Sequence, residues 1–156
     1  MSATITRAEP DSPDAAALIA ELEQHLAERY PAESRHGYSV EKLIREGVAF
    51  FLIHRDAKCA GCGGVKIIGS SPGEPYGELK RMYVRPHFRG HGLGKALVEH
   101  LCTYALQHGV HFIRLETGIH QHEAIALYER MGFTRIQPFG SYRADPLSRF
   151  FEKRVG

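Results

Sequence analysis

Residues 82–101 read MYVRPHFRGHGLGKALVEHL. An apolar run, a loop carrying Gly90, Gly92 and Gly94, and a stretch with Leu93, Leu97 and Leu101 on one stripe follow each other without a gap. That order predicts a strand, a bare backbone turn and the start of a helix spanning 92–107. The first turn of a helix leaves N–H groups unpaired, and its dipole favours negative charge. Glycines let the backbone approach an anion closely and take up positive φ. A phosphate is the group such a loop is built to hold.

Three phosphate loops compete for the pattern. A Walker A loop requires G-x-x-x-x-G-K-[ST], but three residues separate Gly90 from Gly94, and Ala96 stands where Ser or Thr would hold Mg²⁺. A dinucleotide fingerprint requires G-x-G-x-x-G after an early βαβ unit, which the chain lacks. The third, R-x-x-G-x-G, is met in full by Arg89-Gly90-His91-Gly92-Leu93-Gly94. On this motif alone, a glycine-rich turn without a ligand stays open.

The remaining pattern predicts alternating elements. TITRAE (4–9) alternates as a strand, and a helix follows from Ser12 as N-cap and Pro13, with Leu18, Leu22 and Leu26 on one face, until Pro31. A polar loop over 31–39 leads to a short helix capped by Ser39 and ended by Gly47. VAFFLIHRD and CAGCGGVKIIG form a hairpin around Asp56–Lys58. SSPGEPYG (70–77) reads as a turn segment and ELKRMYV (78–84) as a strand. A strand over 110–117, a helix over 122–132 and two late strands, 133–137 and 148–155, complete the chain. With 156 residues and no linker or repeat, a single domain over 1–156 is expected. Its fold class is α/β: a mixed, mostly antiparallel sheet of six or seven strands with about four helices on its two faces.

Composition excludes several classes. A net charge of +2 with no basic run longer than Lys80-Arg81 is not the footprint of a nucleic-acid binder. No stretch of about 18 apolar residues is present, so no spanning helix is expected, and the N-terminus lacks a secretory pattern. Three cysteines, an odd count, suit a reduced cytoplasm. Cys59-Ala-Gly-Cys62 with His120 and His122 has ligand types for zinc, but an i, i+3 pair in a strand points to opposite faces. Core thiols are the expected reading, with no metal.

The segment VRPHFRGHGLGKALVEHL followed by ALYERMGF resembles the GCN5-related N-acetyltransferase (GNAT) superfamily. Val84, Pro86, Arg89, Gly90, Gly92 and Gly94 match its loop motif, and Ala124, Leu127, Tyr128, Gly132 and Phe133 match its later helix motif. The resemblance implies the acyl-CoA N-acyltransferase fold, acetyl-CoA as co-substrate and a primary amine as acceptor. It implies that Arg89, Gly90, His91, Gly92, Leu93, Gly94 and Lys95 hold the pyrophosphate. Met82, Tyr83 and Val84 would flank the pantetheine where the sheet splays, and Gln121 and Ala124 would touch the same chain. The family usually shows Asn seven residues before the tyrosine, where this chain has Gln121.

Acetyl transfer needs a base, because an amine is protonated at pH 7. Glu78, four residues before Met82, stands where several members of the superfamily carry a catalytic glutamate, and a half-apolar cleft would raise its pKa. Glu116 is the alternative. Tyr128 matches the tyrosine that in many members protonates the departing thiolate, and backbone N–H groups near Met82 could polarise the carbonyl. Arg35, Tyr38, Glu116 and Arg143, with Arg29 and His36, border the expected acceptor cleft, and two arginines there would suit a carboxylate-bearing acceptor. The expected partners are acetyl-CoA and a small amine, with neither nucleic acid nor membrane. A homodimer, a protein lysine or N-terminal acceptor, and a non-catalytic acyl-CoA-binding module are left open.

Overall fold

A computed structural model describes residues 2–69 and 73–156, which fold as seven strands and four α-helices. Strand β1 (Ala3–Arg7) leads into helix α1 (Pro13–Ala27), the expected order. Ser12 sits at the N-cap with extended backbone, but its side chain makes no capping bond and its Oγ is buried without a partner. Ser39 does cap α2 (Val40–Arg45), its Oγ accepting from the Lys42 N–H at 3.1 Å. The hairpin β2 (Ala49–Arg55) and β3 (Lys58–Ile68) turns at Asp56 and Ala57, both with positive φ, the twist that favours two-residue hairpin turns. Of the segment expected as a turn, residues 70–72 lie outside the described residues and Tyr76–Gly77 already belong to a strand. Strand β4 (Tyr76–Val84), helix α3 (Leu93–Gln107), strand β5 (Phe112–Gly118), helix α4 (His122–Arg130), β6 (Thr134–Ile136) and β7 (Ser148–Arg154) follow.

The sheet runs β1-β2-β3-β4-β5-β7-β6, antiparallel except between β4 and β5. Period two in β2 decides which helix covers which face. Phe50 and Leu52 pack with Ala15, Leu18 and Ile19 of α1 and Leu43 of α2. Phe51 on the opposite face joins Val98, Leu101 and Ala105 of α3 and Tyr128 of α4. A strand buried on both faces reads as the continuous apolar run VAFFLI rather than as an alternation.

The cysteines depart from the expectation. A bulge opposite the Ile53–His54 step pairs His54 with Cys59 and Ile53 with Gly61, leaving Ala60 as the extra residue. The extra residue resets the alternation, so Cys59 and Cys62 both pack against the α1 side while Ala60 faces Leu93 and Leu97 of α3. Burial pushes the Cys62 thiol up to about 12, the behaviour of a core thiol rather than a nucleophile.

Candidate active site

Strands β4 and β5 are in register only at Gly77–Ile113 and Glu78–Arg114. Beyond that seam β4 runs on to Val84 and β5 to Gly118 without pairing, and the sheet opens as a wedge. On the β3 side the register slips between Cys62 and Gly64, and Arg81 takes φ 56. This bulge twists the outer half of β4 away from β5. Two cavities occupy the opening, and Leu22, Met82, Gln121, Ala124 and Tyr128 line both.

The larger cavity, about 800 Å³, falls within the range of cofactor-sized sites. Its floor is Met82, Tyr83 and Val84, and its walls are the loop before α3 and one side of α4. Gly90 and Gly92 have φ of 83 and 76, and no atom stands within 4 Å of where a Cβ would lie on either. Backbone strain, rather than crowding, excludes other residues there. The first α3 bond closes from the Ala96 N–H to the Gly92 carbonyl, so the N–H groups of Leu93, Gly94 and Lys95 head the helix without such a bond. Arg89 braces the turn, its Nε donating to the Val84 carbonyl at 2.9 Å. Concave space, unpaired N–H groups and the cations Arg89 and Lys95 together fit an anionic ligand.

The smaller cavity, about 120 Å³, lies between the split strands. Its walls include Leu79 to Met82 from β4 and Leu115 to Gly118 from β5. Tyr30, Ser34, Arg35, His36 and Gly37 line it from the loop after α1. That roof is tied down: the Tyr30 hydroxyl accepts from the His120 N–H at 2.9 Å, and the Ser34 Oγ donates to Asp145 Oδ2 at 2.7 Å. Tyr30 lies against Gly118 so closely that any side chain there would overlap its ring.

Two carboxylates lie here in different settings. Glu116 lines the cavity, accepts from the Ser148 Oγ at 2.8 Å, and is pushed above the usual carboxylate range mainly by burial. The Ser148 hydroxyl, His36 and Lys80 oppose that shift, and Glu78 adds to it. Glu78 lines neither cavity. Its Oε2 accepts from Lys80 Nζ at 2.9 Å and from the Tyr142 hydroxyl at 2.5 Å, and its side chain is only 7% exposed. Burial lowers the Lys80 pKa, with Glu78 pulling the other way.

Tyr128 is 5% exposed, its ring packed edge-on to Phe133 at 5.5 Å. The same residue lines both cavities, and burial holds its hydroxyl well above the ordinary phenol range, which makes proton donation harder than for a free phenol. Gln121 stands at the α4 N-cap and its Oε1 meets His25 Nε2 at 3.3 Å. Its longer side chain is thus engaged by α1 at the junction of the cavities. Burial lowers the His25 pKa, favouring the neutral ring.

The structure gathers most of the residues expected from the sequence. Met82, Tyr83, Val84, Arg89, Gly90, Gly92, Leu93, Gly94, Lys95, Gln121 and Ala124 line the larger cavity, whereas His91 is exposed outside it. Of the acceptor-side residues, Arg35 and Glu116 line the smaller cavity. Tyr38 does not; its carbonyl receives Arg81 Nε at 2.8 Å, and its hydroxyl donates to Glu46 and accepts from Lys66. Arg143 does not either, and its neighbour Tyr142 takes that place. Arg81 and Lys80 were not anticipated as site residues. Their only mark in the sequence is a pair of cations inside a strand otherwise bound for the core.

Residues 15–133 match the model of the acetyltransferase (GNAT) family. A protein named IAA acetyltransferase from Azospirillum brasilense is 40% identical over 150 residues, which cover 96% of each chain. A solved acyl-CoA N-acyltransferase of Klebsiella pneumoniae superposes with a TM-score of 0.80 at 35% identity, covering 99% of this chain and 98% of that one. An N-acetyltransferase of Thermoplasma acidophilum solved in complex with coenzyme A shares the fold, with a TM-score of 0.74 at 23% identity and 99% of both chains covered. A split α/β sheet with a glycine-rich turn at its wedge is the architecture of an acyl-CoA-dependent acyltransferase. The chain belongs to the GNAT family and is an N-acetyltransferase. Among the described residues no helix is long and apolar enough to cross a membrane.

Proposed function

We propose that the protein transfers acetyl from acetyl-CoA to the primary amine of a small molecule, by direct attack with both substrates bound. The observation that carries the small-molecule reading is the roof: Tyr30 to Gly37, pinned to His120 in the turn after β5 and to Asp145, lies over a cavity of about 120 Å³. A protein lysine needs an open groove at that position. In this reading Arg89 and the α3 N-terminus hold the pyrophosphate, and the outer half of β4 lies along the pantetheine. The thioester belongs at the junction of the cavities, beside Met82, Gln121, Ala124 and Tyr128.

Tyr128 holds a proton at its hydroxyl and faces that junction, the position of an acid for the leaving thiolate. Glu116 is the carboxylate that lines the acceptor cavity, and its raised pKa brings it toward the range of a useful general base. Glu78 serves by holding Lys80 and Tyr142, although the family pattern points to it. No metal has a part in this reading, and a cytoplasmic setting suits its reduced cysteines.

The test is thiol release from acetyl-CoA with a panel of small primary amines set beside lysine peptides. Small amines are expected to release CoA and peptides to be inert. Turnover of peptides with no small amine accepted would replace this reading with a protein acetyltransferase. Tight CoA binding with no thiol released by any amine would leave a binding module.

A further inference from the structure

Arg81 is an expensive residue to keep for packing alone. It sits in the left-handed region, at φ 56, in the middle of a strand, a conformation that strains a non-glycine residue. Its side chain is 4% exposed. Nε donates to the Tyr38 carbonyl at 2.8 Å and Nη2 to Glu23 Oε2 at 2.5 Å, while Nη1 is buried without a hydrogen-bond partner. Gly37 lies over the guanidinium so closely that any side chain at that position would overlap it.

Arg35 repeats the pattern from the roof. Its Nη1 is 3.4 Å from the other oxygen of Glu23, and its Nε is buried without a partner. Both arginines line the smaller cavity. One carboxylate therefore holds two guanidiniums side by side and leaves a net positive charge with two unused donors. The third cation of the cavity, Lys80, is matched by Glu78. Buried donors to charged groups are expensive to leave unpaired, and the planar guanidinium fork is the geometry that matches a carboxylate. Across the cavity, on β5, stands Glu116, so the two ends carry opposite charge.

We propose that the acceptor is a small amino carboxylate, its carboxylate held by the positive wall that Arg81 and Arg35 form and its amine turned toward Glu116. This rests on the acetyl-transfer reading above and adds the substrate class to it. Two guanidiniums sharing one carboxylate favour an anion as their further partner, and the small cavity volume favours an acceptor with few heavy atoms between its two charged ends.

The experiment compares amino acids with their carboxamides as acceptors in the wild type, in Arg35→Gln and in Arg81→Lys. Arg35 is partly exposed, so its loss does not threaten the fold, and lysine at 81 keeps the charge facing Glu23 while removing Nη1. The wild type is expected to favour the carboxylates at least tenfold in kcat/KM, and both variants to lose most of that preference through a raised KM for the carboxylates. Equal use of both partners by the wild type, or a preference untouched in both variants, overturns the inference and leaves acetyl transfer standing. A second readout is independent of turnover: calorimetric binding of N-acetylalanine against N-acetylalaninamide. If no amine of either kind releases thiol, the transfer reading fails, and selective binding of N-acetylalanine that is lost in Arg35→Gln still upholds the anion site. Equal or absent binding of the two overturns it.

Discussion

Replacing each acidic residue in turn separates the two roles assigned to Glu78 and Glu116. In Glu78→Gln the amide can accept one hydrogen bond from Lys80 or Tyr142, but the negative charge is gone. The Lys80 ammonium, 6% exposed and 2.9 Å from the lost carboxylate, is then uncompensated. Breaking a buried pair by removing one partner costs about 3–5 kcal/mol. Lys80 can escape part of this by shedding its proton, since burial already lowers its pKa. A net loss of about 3 kcal/mol follows, which in a domain of this size lowers Tm by roughly 6–12 °C. Glu116→Gln behaves in the opposite way. The amide oxygen keeps the bond from Ser148, and the charge removed is one that burial disfavours. Because the folded pKa of Glu116 lies above its unfolded value, wild-type stability falls as the pH rises through that folded pKa. The variant lacks this loss, so above neutral pH it melts no lower than the wild type. Its rate is expected to fall about 10²-fold at pH 7 and to recover partly at higher pH, as free amine accumulates. The assay is thiol release across pH beside calorimetric melting. A Glu116→Gln enzyme with the wild-type rate, together with a well-folded Glu78→Gln enzyme that has lost activity, would refute the assignment and return the base to Glu78.

Gly92→Asp should weaken acetyl-CoA at least tenfold, about 1.4 kcal/mol, by placing a carboxylate at the anion turn and straining φ 76; calorimetry on the folded variant reads this. Tyr128→Phe should lower kcat about ten- to a hundredfold with little change in acetyl-CoA KM, because no hydrogen bond to its hydroxyl is lost among the described residues; a large melting loss with normal kcat would make it a core residue alone. Arg85 clasps Glu21 at 2.8–3.2 Å and holds its carboxyl below the usual range, so this pair adds stability above the ordinary carboxylate pKa and loses it as pH falls through the folded value. Glu21→Gln should flatten that acid limb of a Tm-against-pH curve.

The loop at 89–94 and the motif around Tyr128 were legible because each depends on residue types at fixed spacing: glycines for positive φ, an aromatic on an apolar helix stripe. The pairing of β2 with β3 was legible for a similar reason, since a hairpin joins neighbours. The choice between Glu78 and Glu116 was not. Both are acidic residues on adjacent strands, and what separates them is Tyr142, which arrives from a segment 64 residues away from Glu78. The Arg81 bulge was equally silent. A positive φ on an arginine leaves no signature in ELKRMYV, and the extra residue at Ala60 likewise turned the cysteine pair onto one face against simple alternation. Arg143 was one position from the residue that reaches the cavity, an offset that an irregular loop without periodicity does not reveal.

The short seam between β4 and β5 bears on cooperativity. Two residue pairs join a block of four antiparallel strands, β1 to β4, to a block of three, β5, β7 and β6. The facing edges, Lys80 to Val84 and Leu115 to Gly118, have no ladder partner across the gap. The blocks still share one core, in which Val65 and Leu79 pack with Ile113, Leu115 and Phe151, so the weak point is the ladder and not the packing. A substrate lying in the wedge and bonded to both edges becomes a rung of the ladder. Amide exchange along both edges would then slow together as the ligand concentration rises. The sheet is left one rung short at its opening, where the proposed substrate would lie.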